Sequence, residues 1–426
     1  MRIEVICTGD EVLTGKTVNT NFAHITQKLE EVGLAVKWET TVGDERDELL
    51  LAFQLAGGRA DAVIVNGGLG PTVDDLSQEI AARAAGVELV LNEAWLARME
   101  AYFARRSRAM PPTNRKQAML PAGAELLDNP IGTACGFALD IGRAHFYFTP
   151  GVPRELRCML ESEIVPRLLA RQGAASAIHL KRFHCFGIGE SRADALLAGT
   201  ADGVPDGTVK LGFRAHYPQL EVKLAARGRD MDDIGHKLAP VEAAVRRRLG
   251  NHVVAEDERT LEGVVLEALA AHAATLCTVE MFTGGQLAAR LAHLPGAARI
   301  LRRGTVAPEL DEAFAAVGLE RAAAGERVTL ASSLAVARAA RRQAGTTHAL
   351  AVLVALDEGA ERADFAGTVC LAIAAADVVV TRRAHLVGGR DWVRLGAVEL
   401  ALDCLRRHLQ GLPVAERIDF ETIDDR

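Results

Sequence analysis

The stretch GGLGPTVDD at residues 67–75 follows the apolar run DAVIVN and sets Gly67, Gly68 and Gly70 ahead of two adjacent carboxylates, Asp74 and Asp75. Glycine offers no packing, so three within four positions point to an unusual backbone turn or to close approach by another group. Their N–H groups could hold a phosphate at the start of a helix predicted over PTVDDLSQEIAARAAG, where the helix contributes partial positive charge. Two carboxylates at that place would repel a phosphate unless a divalent cation lies between them, and Glu79 falls one turn on, on the face of Asp75. Capping of the same helix is the competing reading of both aspartates. Two further loops repeat the pattern: TGDEVLTG carries Asp10 and Glu11, and VGDERDEL carries Asp44.

These loops need a frame that brings them together. RIEVICTG, AVKWETTVG and ADAVIVNGG read as strands, with helices over NTNFAHITQKLEEVGL and ERDELLLAFQLA between them. Strand and helix alternate, which favours a parallel sheet covered by helices and gathers the acidic loops at its carboxyl edge, where such sheets bind ligands. The block closes near residue 170. RQGAASAI reads as a linker, and a small α+β module follows, with strands over HLKRFHCFGIG, TVKLGFRAH and QLEVKLAARG. After the connector NHVVAEDERT comes an alanine-rich α/β block, and the last fourteen residues, PVAERIDFETIDDR, read as a polar surface tail.

The 426 residues exceed one ordinary core, and the composition is 49% hydrophobic and 25% charged with a net charge of −7. That balance gives no general attraction to nucleic acid or an anionic membrane. Seven scattered cysteines without a CxxC pair indicate neither a disulfide framework nor a zinc ribbon. No long apolar run predicts a membrane span or leader, so a cytoplasmic location is expected.

In order, TGDEVLTGKTVNTN, TTVGDERDEL, VNGGLGPTVDDLSQEIAA, NPIGTACGF and FTPGVPREL resemble the N-terminal domain of the CinA (competence/damage-inducible protein A) family. The resemblance implies an α/β chain of three domains. These are a three-layer molybdopterin-binding-like domain over 1–170, a small α+β KH-like domain over 177–252, and an α/β domain over 258–412 like a nicotinamide mononucleotide deamidase. It further implies hydrolysis of a nucleotide pyrophosphate, ADP-ribose to AMP and ribose 5-phosphate, with Asp44 and Asp75 as catalytic carboxylates. A divalent metal, magnesium or similar, would lie on Asp75 with Asp44, Asp74 and Glu79, with potassium as a candidate second ion. The small nucleotide substrate would rest on Thr8, Gly9, Glu11, Asn21 and the three loop glycines, and on Gly132, Thr133, Pro150, Gly151 and Arg154. A homodimer is implied as well. For GTACG and TPGVPREL, ordinary turns are the competing reading.

The last block departs from its family. The deamidases it resembles carry Ala-Glu-Ser-Cys-Thr-Gly-Gly, whose serine is the nucleophile and is activated by a downstream lysine. Here VEMFTGG places Met281 at the nucleophile's position, no lysine follows Lys237, and the only serines are Ser332 and Ser333 at an apparent helix start. A thioether can neither lose a proton nor form an acyl-enzyme, so an inactive deamidase-like block is expected. A non-catalytic nucleotide sensor or scaffold is the alternative function, and retained deamidation the second alternative. In the middle block GIGES has no supporting lysine clamp, which disfavours nucleic acid as a partner and favours a spacer or oligomerisation role.

Overall fold

The computed structural model describes residues 1–173, 177–204, 207–320, 327–357, 366–376 and 378–422, arranged as two compact units. The first unit is Met1–Leu180 with Arg227–Ile234. Its strands are β1 (Ile3–Thr8), β2 (Val36–Val42), β3 (Ala62–Asn66), β4 (Leu89–Leu91), β5 (Met119–Pro121), β6 (Glu125–Leu127), β7 (Gly136–Ile141) and β8 (Ala144–Thr149). Six of them form one sheet in the order β2-β1-β3-β8-β7-β6, while β4 and β5 pair separately. The parallel expectation holds for β2, β1, β3 and β8 only, because β7 and β8 form an antiparallel hairpin. Gly142, at φ +61°, turns the chain between these two strands too tightly for a crossover helix.

Alternation along β3 and β8 explains the three layers, since successive side chains leave opposite faces of a strand. One face places Val63, Val65, Phe146 and Phe148 against Phe53 and Ile80, and the other places Ile64 and Tyr147 against Ile25 and Leu160. Phe137 stacks on Phe148 with ring centroids 4.4 Å apart. With apolar layers on both sides, the four parallel strands end in their loops at one common edge.

The second unit is Lys181–Ala226 with Gly235–Arg426. A four-stranded sheet, most of whose residues belong to this unit, has β9 (Ala177–Phe186), β10 (Val209–His216), β11 (Gln219–Gly228) and β12 (Val253–Glu256), in the order β10-β11-β9-β12. The unit's larger sheet has β13 (Leu276–Met281), β14 (Leu301–Ala307), β15 (His348–Leu356), β16 (Ala366–Ala374) and β17 (Val379–Val387), in the order β14-β13-β15-β16-β17. β14, β13 and β15 are parallel, and β16 and β17 run antiparallel. Helices Leu261–Ala271 and Arg390–Leu409 supply one apolar face, with Val265, Leu269, Val398 and Leu402, and helix Leu330–Ala344 supplies Val336 and Ala340 to the other. No helix among the described residues is long and apolar enough to cross a membrane.

The expected surface tail is corrected up to residue 422, and 423–426 lie outside the described residues. Ile418 is buried in the core, and Glu421 pairs with the buried Arg382 on β17. Asp403 accepts from both Arg406 and Arg407, and Arg407 in turn pairs with Glu416. Asp419 accepts from Gly189 N–H at 2.8 Å and from Arg192 at 2.6 Å. Glu416 and Glu421, which look solvated in sequence, serve instead to satisfy the buried Arg407 and Arg382.

Candidate functional site

At the carboxyl edge of the first sheet lies a cavity of about 410 Å³, lined by the loops after β1, β2, β3 and β8. It brings together Thr8, Gly9, Glu11, Asp44, Gly67, Gly68, Gly70, Asp74, Asp75, Thr133, Pro150 and Gly151, all singled out in the sequence. Leu69, Thr72, Ala134, Val152 and Glu155 complete the wall and were not anticipated, although Glu155 stands in PGVPREL at the start of the helix Pro153–Met159.

Of the two reasons expected for the loop glycines, close approach by another group is seen within the protein itself. Helix Ser77–Ala85 starts later than predicted, so Asp74 and Asp75 sit in the turn before it rather than in its first turn. Asp75 Oδ2 accepts from Thr72 N–H at 2.8 Å and from Thr72 Oγ1 at 2.5 Å, closing that turn. A Cβ at Gly70 would stand against the Asp75 carboxylate, and one at Gly67 would come 2.5 Å from Thr8 Oγ1. Gly67 N–H donates to Thr149 O and Gly132 N–H to Asn129 Oδ1, so neither is a free phosphate donor. Close approach of protein groups is what demands glycine here.

Asn21 does not line the cavity but braces it: its Nδ2 donates to Asn66 Oδ1 and to Gly151 O. Asn66, missed in the sequence, donates to Thr149 Oγ1 and Pro150 O and so locks β3 to the loop after β8. Arg154 is exposed and lies off the wall, as does Gly132. Thr8 Oγ1 is buried and has no hydrogen-bond partner.

Of the four residues expected to hold a metal, Asp44, Asp74 and Asp75 line the cavity and Glu79 lies off it. Glu79 is paired with Arg46 at 2.9 Å, and that hydrogen bond holds its carboxyl below the ordinary range. Asp75 is engaged by Thr72, and Asp44 accepts from Asp10 N–H. Burial, followed by the nearby charges of Asp10, Glu11 and Asp74, raises the Asp44 carboxyl, while the Asp10 N–H opposes the rise. Among the described residues no group of three or more His, Cys, Asp or Glu is placed to hold a metal ion. The described residues therefore do not fit the expected divalent ion.

A second edge, at the carboxyl ends of β13 and β15, carries the other candidate groups. Glu280 is fully buried and accepts from Thr283 Oγ1, Leu287 N–H and Ala288 N–H, capping the helix Gln286–Ala292 from inside. Met281 is buried in the apolar layer under the helix Leu330–Ala344. Phe282 then adopts φ +77°, which costs a bulky residue strain, and the guanidinium of the exposed Arg390 lies 5.1 Å from its ring centroid. Ser332 closes a capping box with Thr329, and Ser333 Oγ donates to Leu330 O, so both serines are structural. His348 is at the opposite end of β15, paired in register with Leu276. The structure adds a group invisible in sequence: Thr368 Oγ1 lies 3.1 Å from His385 Nδ1, and His385 Nε2 lies 3.6 Å from Asp357 Oδ2.

Three family models match in succession: a probable molybdopterin binding domain over residues 4–170, the KH domain of damage-inducible protein CinA over 180–255, and the CinA C-terminal domain over 258–409. A CinA-like protein of Geotalea uraniireducens is 35% identical over 422 residues, covering 98% of this chain and all of that one. A Shewanella oneidensis protein named nicotinamide-nucleotide amidohydrolase PncC is 36% identical over 429 residues, covering 99% of each chain. The solved structure of CinA from Thermoplasma acidophilum, described as of unknown function, is 36% identical, covers 38% of this chain and 94% of that one, and superposes with a TM-score of 0.35. A relative matched along its whole length and named for amide hydrolysis corrects the expectation of ADP-ribose hydrolysis as this chain's function. It equally removes the ground for reading the last block as inactive from position 281 alone.

Proposed function

The chain belongs to the CinA family, and from that premise we propose that it is a hydrolase acting on the amide of a nicotinamide nucleotide, with the C-terminal block as the working end. The observation that carries this reading is the similarity to the amidohydrolase, which runs through 99% of both chains and so includes the whole C-terminal block. The geometry is compatible with it. A mostly parallel sheet presents its ligand at the carboxyl edge of its strands, and there the chain turns sharply through Phe282 into a helix, beside an exposed Arg390 suited to a phosphate.

For the first block we propose a small-ligand site. With Glu11, Asp44, Asp74, Asp75 and Glu155 around it, the cavity favours a neutral or cationic portion of a nucleotide over its phosphates.

Met281 favours a second reading, in which the C-terminal block binds its ligand without turnover. Full-length protein incubated with nicotinamide mononucleotide separates the two. Ammonia above background supports the hydrolase, thermal stabilisation without ammonia supports the binder, and neither response overturns both.

A further inference from the structure

Amide hydrolysis through a covalent intermediate needs a hydroxyl or thiol, a base that takes its proton, and a group that orients the base. The positions expected to supply the first two hold Met281 and no lysine, and Thr283 is fully buried against Glu280. We propose that Thr368, His385 and Asp357 are the nucleophile, the base and the positioning carboxylate of this block, an assignment that rests on the amidohydrolase reading above.

The placement follows from the register of the sheet. Ala355 on β15, Thr368 on β16 and His385 on β17 stand directly opposite one another in a row across three strands, so their side chains leave the same face. Period two along β16 puts Thr368 on the face of Ala372 and Ala374, which belong to the same apolar layer as Met281 and Leu353. Asp357 directly follows β15, and Ala366 pairs with Val387, which sets the triplet at the edge that carries Phe282 and Arg390. Unlike Thr283, both Thr368 and His385 are only half-buried.

The assignment uses one of the two ring tautomers. Thr368 Oγ1–H donates to Nδ1, which leaves the ring proton on Nε2, facing the Asp357 carboxylate. In the reaction Nδ1 takes the hydroxyl proton as Oγ1 bonds to the amide carbon. The tetrahedral species then breaks its C–N bond, the imidazolium returns the proton to nitrogen, and ammonia leaves. Water, deprotonated by the same Nδ1, attacks the ester; the proton passes back to Oγ1 and the carboxylic acid is released. The sum is amide plus water to acid plus ammonia, with no further reactant.

Two assays on the full chain test this, with melting temperatures confirming that each variant folds. In the first, Thr368→Val, which keeps the branched shape, abolishes ammonia release from nicotinamide mononucleotide, and His385→Gln lowers it about 100-fold or more. Asp357→Asn lowers kcat for ammonia release while leaving KM unchanged, the split expected of a group that orients the base without touching substrate. In the second, p-nitrophenyl acetate acetylates Thr368, detected by peptide mass, and the adduct disappears in His385→Gln. Wild-type ammonia release in Thr368→Val overturns the assignment and leaves the amidohydrolase reading standing. An adduct on Thr368 without ammonia from the wild-type protein overturns that reading and keeps the pair as a nucleophile for another acyl group. No adduct on Thr368, or one indifferent to His385, reduces the pair to a cross-strand contact and overturns the assignment.

Discussion

Asp10 and Asp44 exchange hydrogen bonds, the backbone N–H of each donating to the other's carboxylate at 3.2 Å, and so tie the loop after β1 to the loop after β2. The arrangement draws carboxylates together without a paired cation, and the Asp44 carboxyl is accordingly raised above its ordinary value of 3.8, chiefly by burial.

A sign follows for stability. The folded state holds a proton on Asp44 at pH values where the unfolded chain has lost it, so this group's contribution falls as pH rises from 3.8 through the raised folded value. Asp44→Asn keeps the acceptor and removes the charge, and at pH 7 it is expected to raise the melting temperature by about 2 °C. The difference from wild type shrinks toward zero below pH 3.8 in paired thermal melts. A lower melting temperature for the variant at pH 7 would show that the charge itself is needed there.

Glu79 and Arg46 make an exposed pair, and such pairs contribute little. Glu79→Gln is expected to leave the melting temperature within about 1 °C of wild type. Millimolar magnesium is expected to stabilise neither protein. A magnesium-dependent rise in wild type that is lost in the variant would restore Glu79 as a metal ligand.

The buried charges of the last helix behave differently. Asp403 is the shared partner of Arg406 and Arg407, all three almost fully buried. Asp403→Ala leaves buried Arg406 without its carboxylate partner and Arg407 with Glu416 alone, and is expected to cost about 3–5 kcal/mol in denaturant unfolding. A cost below about 1 kcal/mol would mean that water reaches the arginines in the folded protein.

Met281→Ser supplies a hydroxyl at the position where the family carries one, but no lysine lies anywhere beyond Lys237 to activate it. The substitution is expected to leave ammonia release from nicotinamide mononucleotide unchanged. Because Met281 is buried in an apolar layer, it costs about 2–4 kcal/mol of stability. Faster release in the variant would return position 281 to the reaction.

The first cavity was legible because its residues cluster in short loops after apolar strands, and both the glycines and the aspartates stand in unbroken motifs. What they do there was not legible. Asp75 closes a turn on Thr72, which moves the helix start to Ser77, and a turn of that kind competes with a first helical turn on nearly equal local terms. The tail was misread for a related reason: Glu416 and Glu421 look solvated until their arginine partners, Arg407 and Arg382, are known to be buried. Thr368 and His385 are 17 residues apart with no motif between them, and only strand register brings them opposite one another.

The docked tail also sets an order of events during synthesis. Asp419 satisfies the N–H of Gly189 and the side chain of Arg192, and 230 residues separate it from Gly189. At ordinary elongation rates the earlier segment waits roughly 10–50 s before its partner exists. During that interval the start of the helix Glu190–Leu197 has no tail to meet, whereas Arg382 and Arg407 stand only 39 and 9 residues ahead of Glu421 and Glu416 and meet them soon after they are made. A chain halted between residues 410 and 416 would therefore hold a second unit that still lacks the Asp419 contact.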